Sequence, residues 1–99
     1  MSMTNEEGVS LANALQSVGP GWADLVRAVY ALLEPGRLVS TVKEKFGGLR
    51  IYTDVATDLE MSVIDQAERR SLQTCEDCGR PGKPGGRGWI NTLCVTCRK

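Results

Sequence analysis

Histidine is absent from this chain, and with it the commonest general base. Net charge is absent as well. Twelve Lys and Arg balance twelve Asp and Glu, so no bulk field draws the protein to nucleic acid or an acidic membrane. Aromatic residues are scarce (Trp22, Tyr30, Phe46, Tyr52 and Trp89), which leaves an aliphatic core to be expected. No run of apolar residues approaches the ~20 that a membrane span needs. The N-terminal residues show neither a basic flank nor a continuous apolar stretch, so no signal peptide is expected. The cytoplasm is the expected compartment, and a reducing compartment favours metal-bound thiols over disulfides.

What the chain does have is four cysteines near its C-terminus. Cys75 and Cys78 form one CxxC pair, Cys94 and Cys97 a second, and no other cysteine competes with them. The spacing C-x2-C-x15-C-x2-C is that of a zinc site. Two thiolates three residues apart bind one ion from a single tight turn. Two such turns complete the tetrahedron of structural Zn²⁺ and leave no position open to substrate. The alternative for a CxxC is a thioredoxin-like redox pair, which calls for one pair beside a βαβ unit. One Zn²⁺ per chain is therefore expected on Cys75, Cys78, Cys94 and Cys97.

The 99 residues suffice for one small core with a metal-stapled appendage. Thr4 and Glu7 read as a capping box, followed by Leu11, Ala14, Leu15 and Val18 at helical spacing. Gly19-Pro20-Gly21 stops that helix. Trp22, Leu25, Val26, Val29 and Leu33 then share a stripe on a second, mostly apolar helix, which is the expected centre of the core.

Between Arg37 and Asp54 the pattern becomes β-prone around Gly47-Gly48, a two-residue hairpin signal. A turn there would pair Phe46 with Leu49, Lys45 with Arg50, Glu44 with Ile51 and Lys43 with Tyr52. Leu38, Val42, Phe46, Leu49 and Ile51 would face the core, and Lys43, Lys45, Arg50 and Tyr52 the solvent. Glu44 interrupts the apolar face and is expected at the edge or paired. Thr57 and Glu60 form another capping box, opening a third helix through about Ser71 with Leu59, Val63, Ile64 and Ala67 buried. Its acidic first half and Arg69 and Arg70 at its end suit the helix dipole, so the acids look like a solvated face.

The expected fold is α+β: about three helices packed on a β-hairpin, with a C-terminal four-cysteine module of zinc-ribbon or treble-clef type. The core would cover 1–74 and the module 75–99, without a linker and so as one continuous unit. Beyond its cysteines the module has only Trp89, Ile90, Leu93 and Val95 as sizeable apolar groups, too few to fold alone. Metal loss should unfold it and expose Trp89.

The layout resembles a group of small, largely uncharacterised proteins encoded in bacterial and phage genomes. The resemblance is carried by Gly21-Trp22, by the block from Val42 to Tyr52 (VKEKFGGLRIY), and by the Cys-x-x-Cys-Gly…Gly-Trp-Ile-x-Thr-Leu-Cys module. It spans most of the chain from about Gly21. It implies a zinc-binding accessory protein in a bacterial or phage setting, and brings no activity with it.

Catalysis is not expected. The thiols are used in closing a metal site, histidine is missing, and the carboxylates lie on a capped helix. Two binding functions are compatible with the residues. One is a protein-interaction module whose partner is a bacterial protein or complex, in its sharper form an inhibitor of a host defence or regulatory machine. The other is a nucleic-acid reader. For either, the candidate surface is Lys43, Lys45, Arg50 and Tyr52 on the hairpin, with Arg80, Lys83, Arg87, Arg98 and Lys99 around the module. The simplest account of the hairpin lysines is an exposed strand kept soluble by charge. A membrane partner is not expected.

Overall fold

The computed structural model of the protein describes residues 8–98, and the Thr4–Glu7 capping box lies outside them. Helix α1 (Leu11–Ser17) starts at Ser10, whose hydroxyl accepts the Asn13 amide at 3.1 Å. This side-chain cap supplies one of the acceptors that a helix start lacks. A 3₁₀ turn (Pro20–Trp22) leads into α2 (Ala23–Leu32). Val26 and Val29 are buried, and Trp22 has no exposed surface. The Trp22 indole Nε1 donates to the Thr74 carbonyl at 2.8 Å, so the largest core side chain also satisfies its polar atom.

Strands β1 (Val39–Lys45) and β2 (Gly48–Thr53) form an antiparallel hairpin. The expected turn at Gly47-Gly48 is corrected by one residue. Lys45 pairs with Gly48, Glu44 with Leu49, Lys43 with Arg50 and Val42 with Ile51. The turn residues are Phe46 and Gly47, at φ 53° and 81°, the positive pair a tight two-residue hairpin requires. Two contacts, one local and one from beyond the hairpin, favour this register. The Glu44 carboxylate accepts the Gly47 amide at 2.7 Å, and Gly48 sits where a Cβ would meet Leu72 Cδ2 at 3.2 Å.

Moving a two-residue turn by one position shifts the pairing by two, so each side chain keeps its face. Val42, Leu49 and Ile51 are buried as expected. There are two exceptions: at the irregularity between Val39 and Thr41 the buried residue is Val39 and Leu38 is only half-buried, and the other is Phe46. Inside the turn it leaves the apolar face and is 71% exposed. A left-handed backbone is unfavourable for a residue with a Cβ, and nothing buried offsets it here. Phe46→Gly is therefore expected to stabilise the fold by about 0.5–1 kcal/mol, read as a rise in Tm.

Helix α3 (Asp58–Ser71) runs along the free edge of β2. The Leu49 amide donates to Ser71 Oγ at 2.9 Å, and the Ile51 amide to Glu68 Oε2 at 3.0 Å. Side chains of the helix thus complete the strand edge, which would otherwise invite pairing with another chain. The Thr57–Glu60 capping box forms as expected.

The buried stripe differs from expectation. Leu59 is 65% exposed, whereas Glu60, Ala67 and Ser71 are buried, with Val63 and Ile64 partly buried against the core. The acids are accordingly not all solvated. Glu60 takes the Glu34 amide at 2.7 Å, Arg37 Nε at 2.8 Å and the Thr57 amide at 2.9 Å, tying the α2–β1 connection to the start of α3.

The Glu34 amide foremost, then the Thr57 amide and Arg37, hold the Glu60 carboxyl below its ordinary value against the opposing effect of burial. A depressed folded pKa stabilises fully above the unfolded value and is lost as pH falls through the folded one. Acid should therefore weaken the native chain progressively below the ordinary 4.5. Glu60→Gln should lower Tm at neutral pH and flatten that acid limb, as pH-dependent melting would show.

Candidate metal centre

The last turn of α3 passes directly into the first cysteine pair. The Cys75 amide donates to the Arg80 carbonyl at 2.7 Å, and the Gly79 amide to the Cys75 carbonyl at 3.0 Å. Gly79 stands at φ 85°, a conformation that costs glycine little, and its turn brings Cys75 and Cys78 to one side. A short antiparallel hairpin, β3 (Lys83–Gly85) with β4 (Asn91–Leu93), carries the chain back. Trp89 and Ile90 lie in its loop, just before β4. The second pair forms another turn, with the Cys97 amide 3.4 Å from Cys94 Sγ and the Arg98 amide donating to the Cys94 carbonyl at 3.0 Å. Both cysteine pairs thus sit in tight turns at the ends of a short hairpin.

These turns bring all four Sγ atoms within 4.8 Å of one another. Cys78 and Cys94 are 3.6 Å apart, far beyond the ~2.05 Å of a disulfide. Four sulfurs each ~2.3 Å from a central ion would be roughly 3.8 Å apart. The donor set and its spacing thus fit a closed tetrahedral metal site. Cys75 and Cys94 are buried, Cys97 is half-buried and Cys78 exposed.

The electrostatics fit the same assignment. Burial, the largest single influence on the Cys75 thiol, pushes it up, but backbone hydrogen bonds from Cys94, Cys78 and Asp77 outweigh it and bring it down to about 6. Cys97 is pushed up to about 12, first by its contacts with Cys94 and Cys75. Thiols this close resist ionising together, and a cation among them removes that resistance.

The module is bound to the core by a backbone and a side-chain hydrogen bond, with a further bond bracing it internally. The Gly21 amide donates to the Glu76 carbonyl at 2.6 Å. Thr92, fully buried, donates its hydroxyl to the Gly47 carbonyl at 2.6 Å and its amide to Glu76 Oε2 at 2.8 Å. The cysteine turns are thereby fixed against both the 3₁₀ turn and the hairpin tip. The sequence reading placed Glu60 in a helix cap, Gly21 in a helix stop and Thr92 within the cysteine module, and the contacts they make across the fold were not foreseen. Gly19-Pro20-Gly21 signals a helix stop, and only the tertiary contact shows why glycine is needed there.

Of the candidate surface residues, Lys43, Lys45, Arg80, Lys83 and Arg87 are exposed, and Tyr52 is 45% exposed. Arg50 is different. Its Nη1 lies 3.9 Å from Glu68 Oε1, and its Nε is buried without a hydrogen-bond partner. Arg98 is engaged too, donating to the Lys83 and Asn91 carbonyls at 2.8 and 3.0 Å. Lys99 lies outside the described residues. Trp89, expected to become exposed on metal loss, is already 69% exposed in the fold. No described helix is long and apolar enough to cross a membrane. Comparison with protein-family models, curated proteins and solved structures returned no match.

Proposed function

We propose that this chain is a zinc-stabilised binding protein whose partner is a bacterial protein or protein complex. The observation that carries this reading is the cysteine tetrad, with four sulfurs within 4.8 Å and no further ligand needed to close the tetrahedron. An all-sulfur tetrahedral site takes zinc or iron, and the C-x2-C-x15-C-x2-C spacing favours zinc. Such a site holds structure and offers no open position for a reacting group, and the missing histidine points the same way. Binding rather than catalysis is therefore the role proposed. The bacterial or phage setting rests on the resemblance of the VKEKFGGLRIY block and the cysteine module. In a phage setting the role would be inhibition of a host defence or regulatory complex.

Exposed Lys43, Lys45, Arg80, Lys83 and Arg87 favour nucleic acid as a second reading. It ranks lower because Arg98 is hydrogen-bonded within the fold, Arg50 lies beside Glu68 and the formal charge is zero. Affinity capture from bacterial lysate, with and without nuclease, separates the two. The protein reading expects a defined complex that survives nuclease. Capture that disappears with nuclease, and falls steeply with salt, would replace it with the second.

A further inference from the structure

Two exposed aromatics meet where the hairpin tip faces the module loop. Phe46 occupies the left-handed region at φ 53° and is 71% exposed. Trp89 is 69% exposed on a loop whose Gly86 and Gly88 both have positive φ. Between them runs a groove of about 300 Å³ lined by Glu44, Lys45, Phe46, Gly88, Trp89 and Ile90. Neither ring is needed in the core, and the first sits on backbone that its side chain makes unfavourable. Strain of this kind, with no packing to offset it, is the sort of outlier found at working surfaces.

The hairpin wall of the groove is pinned at Gly47. Glu44 accepts the Gly47 amide, Thr92 Oγ1 donates to the Gly47 carbonyl, and a Cβ on Gly47 would lie 3.1 Å from the Ile90 side chain. Its two walls belong to the core and to the cysteine module, so it exists only while the module is folded. Metal and binding surface are thereby linked.

We propose that this groove is the docking site of the protein partner, and that it receives a bulky apolar side chain flanked by carboxylates. This rests on the protein-binding reading above. Apolar anchors surrounded by a charged rim are the usual energetic centre of an interface. Charge complementarity selects the acidic flanks. Lys45 Nζ stands 5.8 Å from the Phe46 ring centroid, and the exposed Lys43 and Arg87 stand in the chain two residues before Lys45 and next to Gly88, respectively. Glu44, the only carboxylate in the lining, is turned onto the Gly47 amide. Single-stranded nucleic acid also stacks on aromatics, but it needs a continuous cationic track. Arg98, which would extend one, is held by internal hydrogen bonds, and Arg50 stands 3.9 Å from the opposing charge of Glu68.

The test is an amide-resolved NMR titration of the metal-loaded full chain with four probes. These are acetyl-Glu-Glu-Phe-Glu-Glu-amide, its Lys counterpart, the acidic peptide with Gly for Phe, and oligo(dT). Saturable shifts are expected from the acidic Phe peptide at Phe46, Gly47, Gly88 and the Trp89 indole. The Lys and Gly peptides, and the Phe46→Gly and Trp89→Ala variants, should each weaken binding at least about tenfold. Phe46→Gly should lose the ligand while gaining stability, which a purely structural role would not produce. Shifts elsewhere, no saturable shift at millimolar peptide, tighter binding of oligo(dT), or variants that bind as the parent would each overturn the proposal. The two levels separate in the lysate capture. A nuclease-resistant partner retained equally by Phe46→Gly refutes the groove alone, whereas no nuclease-resistant capture by the parent chain refutes the protein-binding reading.

Discussion

Cys75→Ser, or removal of the metal by a chelator under reducing conditions, is expected to unfold residues 75–98 and loosen the core beneath them. Structural zinc contributes roughly 10–16 kcal/mol apparent, against ~5–15 kcal/mol for the whole stability of a domain. The module has no compensating core of its own. Trp89 and Val95 are 69% and 88% exposed, leaving little apolar surface to hold it. Cys75 is the most buried of the four cysteines, at 0% exposure, so a serine there would bury a hydroxyl among the remaining thiols.

The loss should travel inward along identified bonds. Thr74 receives the Trp22 indole, Glu76 the Gly21 amide, and Thr92 holds the hairpin tip. Fluorescence offers a direct readout, although not from the tryptophan first expected to report. Trp89 is solvated before the metal leaves, whereas Trp22 has no exposed surface. A Trp89→Phe background should therefore keep most of the red shift on chelation, and Trp22 should carry it. A chelated chain whose remaining tryptophan stays blue-shifted would contradict this coupling.

Gly21→Ala should be the most damaging small substitution in the N-terminal half. Its Cβ would fall well inside contact distance of the Cys75 carbonyl oxygen, 2.6 Å from the Gly79 nitrogen and 2.7 Å from the Glu76 carbonyl carbon. All three are backbone of the first cysteine turn, so no side chain can swing aside. Either the 3₁₀ turn lifts away, breaking the Trp22–Thr74 and Gly21–Glu76 bonds, or the cysteine turn distorts. We expect a cost of about 3 kcal/mol or more, together with faster loss of metal to a chelator. Gly36→Ala is the control. Gly36 has φ 84° and nothing within 4 Å of a Cβ, so only backbone strain acts and about 1 kcal/mol is expected with metal retention unchanged. Equal effects at the two glycines would mean that the module is not docked as described.

The meeting of the four cysteines was legible because the signal is local, two close pairs with nothing else to choose from. The hairpin faces were legible for a related reason. Alternation survives an error in the turn when the error moves pairing by two, which is why Val42, Leu49 and Ile51 point inward despite the shifted register. The turn itself was not legible. Gly47-Gly48 is the stronger local signal, but Gly48 is pressed against Leu72 from beyond the end of α3.

Glu60 shows the same limit. Its capping role is written three residues away in Thr57, whereas its bonds to Glu34 and Arg37 span 26 and 23 residues. Placing that carboxylate inward leaves Leu59 exposed. The groove between Phe46 and Trp89 joins residues 43 apart in number, and no periodicity or spacing predicts such a meeting.

The central claim is that a metal on the four cysteines holds the module against the core. Elemental analysis of the purified full chain, with X-ray absorption at the metal edge, tests it most directly. The predicted result is one zinc per chain with four sulfur neighbours at ~2.3 Å. A metal-free chain that melts as Cys75→Ser does, with no loss of stability in the variant, would contradict it.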